Sequence, residues 1–393
     1  MILTLNAGSS SIKFALFDGA SVSIRGEIEN LTNAPHFFAR DPGGKTLADR
    51  HWAAGTPPSF GSLLNALLEF AEAHIGRGGL TAVGHRVVHG GGAHIAPALA
   101  TSALLDELTA LTPLDPLHMP LNLAPIRAML SARPNLPQVA CFDTAFHHTL
   151  PPVAQRFALP RAITEAGVRR YGFHGLSYEY IAGRLAIVSP ALSRGRVIAA
   201  HLGSGASLCA LQAGVSIATT TGFSALDGLV MATRCGTLDP GVILYLSRQG
   251  HSVSDIEDML YRRSGLLGVS GISGDVRVLL ASNDAHAADA IDLFTYRIAG
   301  EAASLVAALG GLDGLVFTAG IGEHAPAIRA SVCARLAWLG AEIDAQANAV
   351  NGTKTEGGIS TPGSAIEILV IETDEEAMIA QHTAAVIKPA RSA

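Results

Sequence analysis

Two arginines stand in settings that offer a guanidinium little water. Arg86 lies inside Gly84-His85-Arg86-Val87-Val88-His89-Gly90-Gly91-Gly92, a strand-like run that ends on three glycines. Arg234 lies in Gly228-Leu229-Val230-Met231-Ala232-Thr233-Arg234-Cys235-Gly236, again apolar and glycine-rich. A buried arginine needs an anionic partner, which is either a structural carboxylate or a carboxylate or phosphoryl group held in its planar fork. Two of them suit an anionic acceptor that receives an anionic phosphoryl group, because the repulsion must be neutralised before the two can meet. Asp143, in Cys141-Phe142-Asp143-Thr144-Ala145-Phe146-His147, sets one carboxylate among apolar neighbours, with a helix N-cap as the structural alternative. His174, in Tyr171-Gly172-Phe173-His174-Gly175, is suited to donate to a transferring phosphoryl group. The opening Asn6-Ala7-Gly8-Ser9-Ser10-Ser11-Ile12-Lys13 is dense in small donors: bare backbone and hydroxyls can close around phosphate oxygens, and Asn6 can hold a hydrated metal. A plain hairpin turn is the alternative there.

These residues must be positioned by an α/β framework, since apolar β-type segments alternate with helical ones throughout the chain. Ile2–Leu5, a glycine/serine turn and Ile12–Phe17 predict strand–turn–strand. The same layout recurs at Val197–His201, Gly203-Ser204-Gly205 and Ala206–Leu211, which hints at a duplicated fold. Helices are predicted over Ser59–His74, Thr101–Leu111 and Ala285–Leu309. Leu315–Thr318 reads as a buried strand running into Ala319-Gly320-Ile321-Gly322, where converging backbone N–H groups favour phosphate or nucleotide. Residues 132–137 and Asn351–Ser364 are expected to be loops, the second at the surface.

Several common signatures are excluded. Gly43-Gly44-Lys45-Thr46 resembles the end of a P-loop, but Ala39 stands where the first glycine is required. No G-x-G-x-x-G follows a strand, so a Rossmann cofactor is not expected. The fifteen histidines form no H-E-x-x-H and have no cysteine partners at zinc spacing, so no structural zinc is expected. At 393 residues, 49% hydrophobic and 15% charged, the chain is long enough for two cores and compact in composition. Its net charge of −6 provides no basic footprint for nucleic acid. The absence of a signal-peptide pattern, of any run approaching ~20 apolar residues and of any C-x-x-C among the four cysteines predicts a cytoplasmic, non-membrane protein with free thiols.

Taken together, the segments resemble the acetate kinase family, within the acetate and sugar kinase, Hsp70 and actin superfamily. The resemblance rests on ten motifs in order: Asn6–Lys13, Gly84–Gly91, Pro116-Leu117-His118, Phe142–His147, Arg170–Gly175, His201–Ser207, Gly222–Pro240, Ser264–Arg277, Thr318–Glu323 and Thr373-Asp374-Glu375-Glu376. It implies a two-domain, duplicated ribonuclease H-like (actin-like ATPase) fold closing around its substrates as a homodimer. One domain would comprise 1–147 with about 378–393, and a nucleotide-binding domain would comprise 148–377. It implies Mg²⁺-dependent transfer of the ATP γ-phosphoryl group to acetate, giving acetyl phosphate and ADP. Asn6, Asp143 and Glu375 would surround Mg²⁺ and the reacting phosphate. Arg86 and Arg234 would orient carboxylate and phosphoryl group, and His174 would stabilise the equatorial oxygens. ATP would be met by Ser9, Ser11, Lys13, His201, Gly203, Ser204 and Gly205, then by Asp275, Val276, Arg277, Gly320, Ile321, Gly322 and His324. Acetate would lie against Arg86, Val88, Leu117, His118, Phe173 and Ala225.

Some positions depart from the family pattern. Ser204 and His324 each replace an asparagine, Ala232 a glycine, Cys235 and Gly274 a serine. Ala225 replaces an often-found proline at the acyl wall, which makes room for an extra methylene, worth only about 1–3 kcal/mol in an apolar pocket. Propionate is therefore the expected second substrate, and a propionate or other short-chain acyl kinase is the first alternative. A sugar kinase would need an aspartate base for a neutral hydroxyl. An Hsp70- or actin-like switching ATPase would need a peptide or filament surface.

Overall fold

The computed structural model describes residues 1–8, 11–55, 58–75 and 79–388. The N-terminal apolar run forms β1 (Ile2–Ala7), which pairs antiparallel with β2 (Ser11–Asp18) and sets Asn6 opposite Lys13. Strands β3 (Ser21–Glu29), β4 (His36–Arg40) and β5 (Thr46–His51) extend the sheet antiparallel. On its other side β1 runs parallel to β6 (Ala82–Val87). Short β7 (Ala98–Leu99) closes the far edge against β8 (Gln138–Phe142), which runs parallel to β6. The full order is β5-β4-β3-β2-β1-β6-β8-β7. The P-loop-like Gly43–Thr46 is the β4–β5 turn, where Asp41 Oδ1 accepts from the Lys45 N–H at 2.9 Å.

These strands belong to one compact unit, formed by 1–146 and the segment from 374 onward. Apolar side chains of β1 and β2 (Leu3, Leu5, Phe14) pack with Leu63, Leu64 and Leu67 of the helix Phe60–His74. That helix begins where predicted, because the Ser59 side chain accepts from the Ser62 N–H. The other face carries the C-terminal helix Glu375–Ile387, through Ile2, Ala15, Phe17 and Ala380. Gly84 is glycine for a packing reason: a Cβ there would run into Thr383 and Ile379 of that helix.

The second unit spans 147–373. Its sheet, β11 (Val215–Thr219), β10 (Ala206–Gln212), β9 (Arg196–Leu202), β12 (Gly314–Thr318) and β13 (Glu367–Val370), repeats the pairing sense of β3-β2-β1-β6-β8. In both, two antiparallel strands of a hairpin series lead into parallel ones. The duplication hinted at by the sequence is thus present as topology, and the fold is α/β of the duplicated ribonuclease H-like, actin-like class. The 25-residue helix Ala285–Leu309 buries Ala287, Ala290, Phe294, Ile298, Ala302, Leu305 and Leu309, a three-and-four spacing that makes one apolar stripe. Asp284 caps its start and Gly310, at φ 70°, its end. Residues 133–137 connect helix to strand as expected. Asn351–Ser364 is less superficial than predicted, because Ile359 is fully buried and Gly358 bridges to Leu369.

Candidate active site

In an open α/β sheet, ligands gather at the carboxyl ends of parallel strands. In the first unit three predicted residues stand there: Asn6 near the end of β1, Arg86 near the end of β6 and Asp143 just after β8. The β6–β8 register sets Arg86 opposite Cys141, and the Asp143 N–H continues the ladder to the Val87 carbonyl. Arg86 donates to Asp143 Oδ2 through Nε at 2.9 Å and Nη2 at 2.5 Å, and through Nη1 to Asn6 Oδ1 at 3.2 Å. Asn6 Nδ2 donates in turn to Glu375 Oε2 at 3.3 Å, at the start of the C-terminal helix. Asp143 is therefore a partner of arginine, not a helix cap.

Charge is concentrated here. Burial opposes the Arg86 charge, yet the carboxylates of Asp143 and Glu375 hold its guanidinium above its ordinary value. Burial pushes the Glu375 carboxyl up to about 7; Arg86 pulls it down, and Asp143 adds to the rise. Asp143 Oδ1 is buried and has no hydrogen-bond partner among the described residues. An orphaned carboxylate oxygen is costly unless something binds it. With the Asn6 amide oxygen and Glu375 it makes an all-oxygen donor set, which fits a hard divalent cation such as Mg²⁺.

Around this group, Asn122 holds two strand ends together, donating to the Ala7 carbonyl at 2.7 Å and accepting from the Val88 N–H at 2.8 Å. Val88 is buried, Leu117 is half-buried, and His118 Nδ1 sits 2.9 Å from buried Asp115 Oδ1. Lys13 is on β2 opposite Asn6, and Ser11 opens that strand. Ser9 lies outside the described residues.

In the second unit His174 and His201 stack at 4.2 Å with 14° between rings. His174 Nδ1 meets Ser207 Oγ at 2.8 Å, and Tyr178 Oη meets the same hydroxyl at 2.5 Å. His201 Nδ1 meets Ser177 Oγ at 2.8 Å, and Ser177 meets Thr373. His174 has φ 60°, a left-handed conformation that costs about 1–3 kcal/mol for a non-glycine residue and persists only when its surroundings impose it. They do so here. Gly172, at φ 81°, lies where a Cβ would come within 2.5 Å of the His147 ring, and buried His147 donates from Nε2 to the Phe173 carbonyl. Burial lowers the His147 pKa to about 4, so this support is neutral.

The glycine turns lie close by in the same unit. A Cβ on Gly205 would sit 3.2 Å from His174 Nε2, and the Ser204 carbonyl accepts from Ala232 N–H. Arg234 Nη1 donates to the carbonyl of buried Ala225 at 3.3 Å, so the second arginine and the residue predicted for the acyl wall are neighbours. Phe173 is buried and its N–H donates to Thr221 Oγ1. The turn after β12 becomes the short helix Ala319–His324, with Ala319 at φ 62°. Glu323 Oε1 accepts from Ala319 N–H at 2.7 Å and Thr373 N–H at 3.0 Å, which pins Gly320, Ile321 and Gly322. His324 is exposed. Asp275 caps the helix Val276–Ala281 by accepting from the Arg277 N–H at 2.8 Å; Val276 is buried and the Arg277 side chain exposed.

Sequence reasoning did not find the supporting residues Asn122, Ser177 and Arg329. Arg329 is fully buried, has no carboxylate partner among the described residues, and donates to the carbonyls of Gly322, Glu323 and Asn348 and to the side chains of Asn348 and Asn351. It locks the turn that carries Gly320–Gly322.

The Acetokinase family model matches residues 1–381. The chain belongs to the acetokinase family. It is 53% identical over 390 residues to the acetate kinase of Rhodopseudomonas palustris (strain ATCC BAA-98 / CGA009), covering 97% of each chain. Among solved structures it is similar to a propionate kinase from Francisella tularensis, with TM-score 0.91 at 38% identity over 98% of this chain and 99% of that one. The acetate kinase of Porphyromonas gingivalis gives TM-score 0.86 at 33% identity over the same shares. One unit thus carries an arginine paired with a carboxylate at its strand ends, and the other a histidine pair beside glycine turns.

Proposed function

We propose that the chain is an acetate kinase, which transfers the γ-phosphoryl group of ATP reversibly to acetate in a single in-line step. The observation that carries this reading is the Asn6–Arg86–Asp143–Glu375 cluster at parallel strand ends, in a chain that matches the acetokinase family almost end to end. A carboxylate oxygen of acetate forms a bond to the γ-phosphorus as the bond to the ADP oxygen breaks. Acetate is already ionised at neutral pH, so no strong base is required and no proton needs to be moved. Catalysis is then positioning and charge neutralisation. Arg86 spends three N–H groups on Asp143 and Asn6, which fixes the fork and leaves two of an arginine's five for substrate oxygens. Arg234 is the second cation for the anionic partners. His174, oriented by Ser207, donates to the equatorial oxygens of the transferring group.

Asn6, Asp143 and Glu375 would hold Mg²⁺, which neutralises charge on the phosphoryl oxygens when bound. Lys13, Ser9, Ser11, His201 and the Gly203–Gly205 turn bind phosphate. Gly320–Gly322, Asp275–Arg277 and His324 flank the nucleoside. Val88, Leu117, His118, Phe173 and Ala225 receive the acyl group. The chain would divide near 147 and 378 into the two ribonuclease H-like domains of the sequence reading.

The chain functions as a homodimer. The helix Pro240–Arg248 supports this: none of its residues is buried, and the apolar turn Val242, Ile243, Leu244 and Tyr245 is uncovered all the way round. A cytoplasmic location accords with four cysteines that form no disulfide among the described residues, three of them buried. Propionate is the second substrate, favoured by Ala225 at the acyl wall.

The test is acetate-dependent release of ADP, followed by the stereochemistry at phosphorus with chirally labelled γ-thiophosphate. One direct transfer inverts configuration. Retention means an intervening phosphoenzyme and overturns the single-step mechanism.

A further inference from the structure

At the antiparallel edge of the first unit's sheet, register places Glu29 of β3 opposite His36 of β4, and His36 opposite His51 of β5. Residues directly opposite share a face, so the three make one row across three strands. Asp49, two residues before His51, lies on the same face. His36 Nδ1 is 3.0 Å from Glu29 Oε1, and its Nε2 is 2.8 Å from Asp49 Oδ1. His51 Nε2 reaches that same oxygen at 3.3 Å. The two imidazoles stack at 3.9 Å with 5° between planes. Ligand atoms of His36, Asp49 and His51 all lie within 4.8 Å of one another.

A protonated His36 bridging two carboxylates accounts for Glu29 and Asp49. A neutral His51 can donate from Nε2 to the same oxygen, so two imidazole nitrogens and one carboxylate oxygen already converge. Glu29 supplies what a ligating histidine needs behind it. By accepting the Nδ1 proton it sets the tautomer, and the Nε2 lone pair then faces Asp49 and His51. Two imidazole nitrogens with one carboxylate oxygen suit zinc and its neighbours, whereas Mg²⁺ and Ca²⁺ take oxygen ligands. The stack has to open for both lone pairs to meet one ion, and His51, whose side chain is 70% exposed, has room to tilt.

We propose that His36 Nε2, His51 Nε2 and Asp49 Oδ1 form a surface site for one divalent transition-metal ion of the zinc class, oriented by Glu29 and completed by water. None of the four residues takes part in the phosphoryl-transfer cluster. A bound ion would clip β5 to β4 at the open end of the β4–β5 hairpin.

The site is tested by titrating Zn²⁺ into the full chain in excess Mg²⁺ against a chromogenic chelator, with Co²⁺ absorption as a second readout. The native chain is expected to take up one ion that the His36→Ala/His51→Ala double variant does not. Asp49→Asn should weaken that ion at least tenfold, and Glu29→Gln about 10-fold. The variants should form acyl phosphate at the native rate, which shows that they fold. Equal Zn²⁺ stoichiometry and affinity in native and double variant, or no uptake by the native chain, overturns the proposal.

Discussion

Replacing Asp143 by asparagine separates structural from catalytic use of one carboxylate. The side chain keeps its shape, and its amide oxygen can still accept from Arg86, which now donates to Oδ2 at 2.9 and 2.5 Å. Removing one partner of a buried ion pair costs about 3–5 kcal/mol, while a hydrogen bond to a charged group is worth about 1.5–3. Retaining the bond and losing the charge should therefore cost about 2 kcal/mol. For a unit of this size, about 2–4 °C of Tm is lost per kcal/mol, so the expected fall is about 4–8 °C. Turnover should fall much further. The change puts an NH₂ or an uncharged oxygen where Oδ1 now stands unpartnered, in the position argued to face the cation and the γ-phosphoryl group. Losing one preorganised electrostatic contact costs about 10²–10³ in kcat. Acyl phosphate trapped as hydroxamate at 20 °C, far below either melting point, reads kcat without unfolding. An Asp143→Asn protein with near-native turnover at saturating Mg²⁺ would sink the catalytic role and leave Asp143 a structural counter-ion. Asp143→Ala, which strands Arg86, should lower Tm further.

Other substitutions probe the supports. Arg329→Lys loses the planar fork that holds the Gly322 and Glu323 carbonyls and should raise KM for ATP severalfold with little change in KM for acetate; equal changes in both contradict the assignment. His174→Asn fits the left-handed backbone, so Tm should stay within about 2 °C while kcat drops about 10²-fold or more; a circular-dichroism melt and the hydroxamate assay check both. The pH dependence of stability has a definite sign in each unit. His147 is depressed from its ordinary value to about 4, so the unfolded chain binds the extra proton; its contribution is full above about pH 6.5 and is lost as pH falls through about 4, at up to about 1.4 kcal/mol per pH unit. His147→Gln should flatten that acid limb in urea unfolding. Glu375, raised to about 7, has the opposite sign and destabilises the metal-free fold as pH rises from about 4.5 through 7. Glu375→Gln should be the more stable protein at pH 8 without Mg²⁺, and the advantage should vanish near pH 5.

Much of the framework was legible because it is local. The hairpin β1–β2, its counterpart β9–β10 and the helix Ala285–Leu309 each announce themselves by period and by turn residues within a dozen or two positions. The carboxylate–arginine pair is different. Arg86 and Asp143 are 57 residues apart, and only the parallel register of β6 and β8 joins them; sequence marked each as a buried charge but not as partners. Arg329 carried no signal, since an arginine in a polar-looking helix is ordinarily exposed, and its partners are backbone carbonyls whose positions depend on the fold. Asp275 shows the reverse limit: the resemblance assigned it to adenosine, and the structure displays its capping of Val276–Ala281. The zinc-spacing rules passed over His36, Asp49 and His51 because cross-strand register, not sequence spacing, brings them together.

The measurement that bears most directly on the central claim is hydroxamate-trapped acyl phosphate from ATP and Mg²⁺ with acetate, propionate and butyrate in parallel. Acetate is expected to react fastest, with propionate second, and Ala225→Pro should widen the gap between them by about 10-fold or more. ATP hydrolysis without acyl phosphate from any of the three acids would contradict the account and make the chain a switching ATPase on the same fold.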